Sequence, residues 1–262
     1  MFHALPTYES YSDFIVETKK AYLDSLSNII WVAGKASPSN TKSRQDHLFT
    51  LELNSLNNLL KFLSHNQWSG RLIFLSSGGC IYKTSSSALN EECELAPNNY
   101  YGELKLEQES LIISSQVRHS ILRVSNVYGY RESLKPGKDV ISTWLHNALN
   151  KETCQVFGDL SSYRDYINIS DLVMAISLAT QPCTSNNIIN IGSGIRISTS
   201  ELIEIFSRAS KETIHFDFQN ARDFDRKGFV LDIYRANEVL GWKPKSSMKS
   251  DLLEMLAGKL NH

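Results

Sequence analysis

Short apolar runs alternating with amphipathic stretches constrain the fold of this chain more than any other feature. NIIWVAG (residues 28–34), RLIFLSSGG (71–79), SILRVSNVYG (120–129) and IINIGSG (188–194) are each rich in Ile, Leu and Val and end in Gly or Ser. Runs this short, closed by turn residues, read as buried strands. Between them lie segments with helical spacing of apolar residues. Residues 9–26 carry Tyr11, Phe14, Ile15, Ala21, Tyr22 and Leu26, and residues 45–64 carry Leu48, Leu51, Leu59, Leu60 and Phe62. Residues 100–114, 139–150 and 199–210 are further helices, and a strand is expected near 155–157. Residues 164–179 read as a strand passing into a helix with Ser170 as its N-cap, and two helices at about 233–240 and 247–260 close the chain. Strands alternating with helices give an α/β protein with a parallel sheet.

Composition narrows the function classes. Hydrophobic residues make up 42% and charged residues 21%, the range of a globular protein with a real core. The 27 basic and 28 acidic residues are interspersed, with a formal net charge of -1 and no basic stripe. Nothing therefore points to nucleic acid or an anionic membrane surface as a partner. No apolar run approaches a membrane span. The opening MFHALPTYES lacks the charged and apolar regions of a secretory signal, so a cytoplasmic location is expected. Cys80, Cys93, Cys154 and Cys183 fit neither a zinc spacing nor a redox pair, and no metal site is expected.

The chemistry concentrates at Tyr101 and Lys105. On a helix, positions i and i+4 share a face, which brings phenol and ammonium into one space. A free phenol has a pKa near ~10. A neighbouring ammonium favours the phenolate, so the pair is suited to exchange a proton with a hydroxyl. Some twenty residues earlier, Ser76 and Ser77 stand at the carboxyl end of a strand, where ligands sit in open α/β sheets. A surface helix and an ordinary Ser/Gly turn are the alternatives for each element alone; the two in this order are rarely accidental.

The chain from about residue 28 to residue 256 resembles the NAD-dependent epimerase/dehydratase group of the extended short-chain dehydrogenase/reductases. IIWVAGKAS resembles the family's fourth strand, FLSSGGCIY its Ser-rich strand end, and NNYYGELKLEQE its catalytic helix. ILRVSNVYG, VFGDLSSYRDYINISDLVMAI, NIINIGSGIRISTSELI and ARDFDRKGFVLDIYRANEVLGWKP follow in the family's order. The resemblance implies a Rossmann-like parallel sheet with flanking helices, its first strands missing or truncated. Residues 1–130, with 164–194 contributing, would form a partial NAD-binding domain. Residues 131–163 and 195–262 would form a smaller substrate-binding α/β subdomain.

By the same resemblance Tyr101 is the catalytic acid or base, and Lys105 binds the nicotinamide ribose and lowers the Tyr101 pKa. Ser77 is the catalytic hydroxyl, and Ala33 and Ser76 join Tyr101 and Lys105 in holding NAD. Asn126, Arg164, Arg222 and Asp225 bind a nucleoside-diphosphate sugar. Asp165 and Asp171 are read as capping or structural. A homodimer and a place in surface-polysaccharide or nucleotide-sugar metabolism are further implications. The expected reaction is epimerisation; the alternatives are reduction of a nucleotide-linked keto-sugar and an inactive sugar-nucleotide-binding remnant.

Three departures qualify the resemblance. The family opens with a strand and a G-x-x-G-x-x-G turn that holds the cofactor pyrophosphate. Here the first glycine is Gly34, after the strand that resembles the fourth. A βαβ unit takes about 30 residues, so about 60 are expected to be missing, and NAD binding by this polypeptide alone is expected to be poor. Gly78 stands where many members carry Ser or Thr, and Gly79 and Cys80 replace the Asp-Glu pair of dehydratases. That argues against dehydration. Lys83 replaces a usual Gly after Tyr82.

Overall fold

The computed structural model describes residues 20–129, 139–181, 187–210, 212–221 and 227–256. These fall into two compact units. The first lies within Met1–Lys83, Glu94–Arg123 and Ala179–Ile189, the second within Thr84–Cys93, Val124–Leu178 and Asn190–His262.

The first unit begins with α1 (Lys20–Ser25), the described part of the helix expected over 9–26, and continues into β1 (Asn28–Trp31). Then come α2 (His47–His65), β2 (Arg71–Ser77), α3 (Tyr100–Ser114) and β3 (His119–Val124). With β8 (Asn187–Ile191) the strands form a four-stranded sheet in the order β1-β2-β3-β8, and β1 and β2 run parallel with Asn28 opposite Arg71 and Trp31 opposite Phe74. Every residue of β3 is buried, as a strand covered on both faces requires. The core joins Ile29 and Trp31, Leu56, Leu59, Leu60 and Leu63 of α2, Leu72 and Phe74 of β2, and Ile112 of α3.

Two local details fix α3. Asn99 caps it, its side chain accepting the Gly102 N–H at 2.8 Å. Gly102 allows the helix to approach the preceding loop: a Cβ there would lie 2.4 Å from the Cys80 carbonyl oxygen. No other residue type fits at that distance without a shift.

The second unit holds β4 (Asn126–Tyr128), α4 (Val140–Leu149), β5 (Cys154–Phe157), β6 (Tyr163–Arg164) and β7 (Tyr166–Asn168). It continues through α5 (Ile169–Ala179), β9 (Ile197–Ser198), α6 (Thr199–Ala209), β10 (Phe216–Gln219), α7 (Tyr234–Leu240) and α8 (Met248–Leu256). Three two-stranded sheets pair β10 with β5, β4 with β7, and β6 with β9. Trp144 centres the core, edge-on to Phe206 and Phe216 at 5.4 and 5.2 Å between ring centroids. Ser198 and Glu201 form a reciprocal capping box at the start of α6.

The N-cap expected at Ser170 is corrected. Helix α5 begins at Ile169, and the Asn168 side chain takes the Ser170 N–H at 2.8 Å. An Asx side chain reaching two residues ahead does the capping, a role for which Asn is at least as good as Ser. Asp165 and Asp171 are structural anchors. Asp165 accepts from the backbone of Ser193, Gly194 and Leu231, and Asp171 from that of Lys245 and Ser246.

Candidate active site

In the first unit, α3 carries Tyr101 and Lys105 one turn apart toward the end of β2, where Ser76 and Ser77 stand. Tyr101 is partly exposed, and Lys105 is buried. The Ser77 hydroxyl lies beside the Tyr101 phenol and favours its ionised form. The Lys105 ammonium lies over two aromatic faces, 5.0 Å from the centroid of Phe74 and 5.6 Å from that of Tyr101. Its hydrogen bond to the Leu75 carbonyl is long, at 3.4 Å. An ammonium has three N–H donors, so Lys105 retains capacity for the oxygen of a ligand.

The electrostatics differ from the expectation that Lys105 draws the phenol toward ionisation. Crowding of the phenol by protein atoms pushes the Tyr101 pKa up, the negative potentials of Cys80 and Glu52 add to this, and the Ser77 hydroxyl only partly opposes it. Burial pushes the Lys105 pKa down, against the attraction of Glu52 and Glu109. The protein groups around the phenol thus favour its neutral form, and taking a proton from a hydroxyl requires positive charge beside it.

The neighbouring hydroxyl plays a different part. Ser76 is buried, and its hydroxyl donates to Glu109, 2.5 Å away. Glu109 also receives two nitrogens of Arg123, whose third donates to the Tyr82 hydroxyl at 3.0 Å. Glu109 and Arg123 are both almost wholly buried. This network ties β2, β3 and α3 together beneath the Tyr101–Lys105 pair. Ala33 follows β1 and packs on the core, and Gly34 beyond it meets the carboxylate of Glu52, whose oxygen would be 3.2 Å from an added Cβ.

Glu52 was not among the residues singled out in the sequence. It stands on the apolar stripe of α2, three residues after Phe49 and four before Leu56, and is 1% exposed. A carboxylate at a core position of an amphipathic helix is the signal that identifies it. Glu109, four residues after Lys105, and Arg123, between Leu122 and Val124 of a wholly buried strand, are further charged groups at core positions.

In the second unit, Asn126 opens β4 and pairs with Tyr166 in a parallel bridge, its own N–H donating to the Asp165 carbonyl. Arg164 lies in β6 opposite Ile197, partly exposed, with Nη1 on the Tyr163 carbonyl at 2.9 Å. Arg222 and Asp225 lie outside the described residues. Among the described residues no group of His, Cys, Asp and Glu is placed to hold a metal ion, and no helix is long and apolar enough to cross a membrane.

A sequence profile described as the NAD dependent epimerase/dehydratase family matches residues 17–192. The chain is 34% identical over 178 residues to dTDP-4-dehydro-6-deoxyglucose reductase of Escherichia coli, covering 66% of this chain and 56% of that protein. It is 29% identical over 185 residues to UDP-glucose 4-epimerase of Mycolicibacterium smegmatis, covering 68% and 58%. The chain thus spans a little over half the length of these relatives. The crystal structure of UDP-glucose 4-epimerase from Thermotoga maritima with UDP-glucose superposes at a TM-score of 0.84, with 24% identity, covering 98% of this chain and 84% of that one. UDP-glucuronic acid 4-epimerase from Bacillus cereus, in complex with UDP-glucuronic acid and NAD, gives 0.82 with 21% identity, covering 93% and 80%. At these identities the superpositions establish a shared Rossmann-like fold.

Proposed function

The chain belongs to the NAD dependent epimerase/dehydratase family, and from that premise we propose that it works as an NAD-dependent epimerase on a nucleoside-diphosphate sugar. The observation that carries the reading is the trio in the first unit: a phenol beside the Ser77 hydroxyl, with a buried ammonium against its ring. Proton exchange at a sugar hydroxyl needs a donor-acceptor of this kind beside a second group that orients the oxygen.

The residues present fit one end of NAD. Lys105 offers N–H donors that the protein leaves unused, suited to ribose hydroxyls, and the end of β2 with the loop after β1 offers backbone and small side chains beside it. The sequence contains no G-x-x-G-x-x-G turn for the pyrophosphate. When bound, NAD supplies the acceptor and donor of hydride. Tyr101, as the phenolate, then takes the proton of the reacting hydroxyl in the oxidising half of the cycle and returns it in the reducing half, Ser77 holds that oxygen by a hydrogen bond, and the Lys105 charge favours the phenolate. Asn126 and Arg164, with Arg222 and Asp225, are proposed to bind the nucleoside diphosphate, a planar guanidinium being matched to paired phosphate oxygens.

A second reading, reduction of a nucleotide-linked keto-sugar, is favoured by the similarity to the Escherichia coli reductase. It uses the same proton donor and consumes NAD(P)H. The two are separated by incubating the protein with UDP-glucose and trace NAD, and with dTDP-4-dehydro-6-deoxyglucose and NADPH, and resolving products by NMR. Accumulation of the C4 epimer without net NADH supports epimerisation. Stoichiometric oxidation of NADPH overturns it in favour of reduction, and no product in either arm overturns both.

A further inference from the structure

We propose that Glu52 is a positioning residue of the Tyr101–Lys105 site, pinning the loop after β1 with one carboxylate oxygen and serving as the counter-charge of the buried Lys105 ammonium. One half of this is direct geometry. Oε1 accepts the N–H groups of Lys35 and Ala36, each at 2.6 Å, so two successive backbone donors of an irregular loop are satisfied by one side chain reaching over from α2. Short bonds to a charged acceptor are the stronger kind.

The other half follows from what remains. Oε2 is buried and has no hydrogen-bond partner, facing the space above Gly34, where no side chain intervenes. A buried carboxylate with a bare oxygen is costly unless a cation is near. Lys105 is the cation that interacts with it electrostatically, at a separation beyond ion-pair contact, and Lys105 is itself poorly satisfied, with its 3.4 Å bond to Leu75. The other acidic group near the ammonium is Glu109, whose oxygens are taken by Arg123 and Ser76. Tyr101 and Cys80 complete the titratable groups around the pair, and Glu52 acts on Tyr101 as well, holding its proton on. Glu52 thus favours the protonated form of both groups, against burial at Lys105 and together with burial at Tyr101. Its consequence for turnover rests on the reading of Tyr101 and Lys105 as the reacting pair; the coupling itself does not.

The test is a pH titration of the full chain by NMR, with [ε-13C]lysine and [ζ-13C]tyrosine labels, comparing wild type with Glu52→Gln. The glutamine oxygen still accepts from Lys35 and Ala36, so the loop is kept and only the charge is removed. The Lys105 and Tyr101 midpoints should both move down by about 1 unit, the size expected of one nearby charge in a buried site. A Lys105 midpoint that stays in place overturns the proposal. Should E52Q fail to fold, Glu52→Asn, a shorter neutral amide that still offers an acceptor, is titrated in its place; the Lys105 midpoint should again move down, and one that stays in place overturns the proposal equally. Neither measurement depends on turnover. An inactive protein with the shift therefore refutes the epimerase reading alone, and an active one without it refutes this inference alone.

Discussion

Tyr101 is held in its protonated form first by crowding and then by Cys80 and Glu52, with the neighbouring Ser77 hydroxyl opposing them. Replacing it with Phe keeps the ring against Lys105 and removes only the transferable proton. Tyr101→Phe should lower kcat by about 10²–10⁴-fold, the usual contribution of a positioned acid or base, with circular dichroism and melting temperature unchanged; retained turnover would remove Tyr101 from the chemistry. Lys105 gives a prediction in pH. Its folded pKa lies below that of the unfolded chain, about 10.4. Between those values the unfolded state binds more protons, so the buried lysine's contribution to stability rises with pH and is lost as pH falls through the folded pKa. The stability of wild type relative to Lys105→Met, read by urea melts, should therefore improve between neutral pH and about pH 10. A flat difference would mean that Lys105 is as well solvated in the fold as in the chain. At this scale Tyr101, Lys105 and Ser77 were legible because an i, i+4 pair and a strand end are one-dimensional signals. The direction of the Tyr101 shift was not legible. It depends first on burial of the phenol and then on Cys80 and Glu52, which lie far from Tyr101 in sequence and reach it only through the packing of α2 and the loop after β2.

Helix α3 is where local sequence and site geometry meet. Asn99 and Gly102 lie at its first turn, immediately around Tyr101, and they act through different physics. Asn99→Ala removes a cap and should cost about 1 kcal/mol in thermal or chemical denaturation, without moving the helix axis. Gly102→Ala places a methyl 2.4 Å from the Cys80 carbonyl oxygen and 2.9 Å from the Pro97 side chain. The helix or the loop must then shift, at about 1–3 kcal/mol for an overpacked contact. The discriminating readout is the tyrosine titration: G102A should change the Tyr101 midpoint because its approach to the Ser77 hydroxyl is disturbed, and Asn99→Ala should leave it in place. Equal effects of the two variants would show that the close approach at Gly102 does not set the site. The elements themselves were readable from periodicity, since β2, α3 and α6 coincide with their apolar runs within a residue or two, whereas the run over 120–129 divides at Ser125 into β3 and β4, which join different sheets. What periodicity missed is how elements end. The start of α5 was assigned to Ser170 because serine is a strong cap, whereas Asn168 performs the task from inside β7, a residue whose capping geometry is not visible in a hydropathy pattern.

For the whole molecule the parallel α/β architecture follows from alternation alone, whereas cofactor affinity depends on how many groups of the polypeptide meet the cofactor. Lys105 and the loop after β1 can engage the ribose end of NAD, but the backbone amides of a Gly-rich turn are the groups that hold a pyrophosphate in such folds. Hydrogen bonds to a charged group contribute about 1.5–3 kcal/mol each. Two or more of them absent from the 262-residue polypeptide correspond to a loss on the order of a hundredfold or more in affinity. Calorimetric titration of this polypeptide with NAD should accordingly give at most weak, millimolar binding. Micromolar binding by this polypeptide would show that the Tyr101, Lys105 and Glu52 region anchors the cofactor without a phosphate cradle. The weight of recognition would then fall on the ribose end, and the E52Q variant should weaken NAD binding along with shifting Lys105.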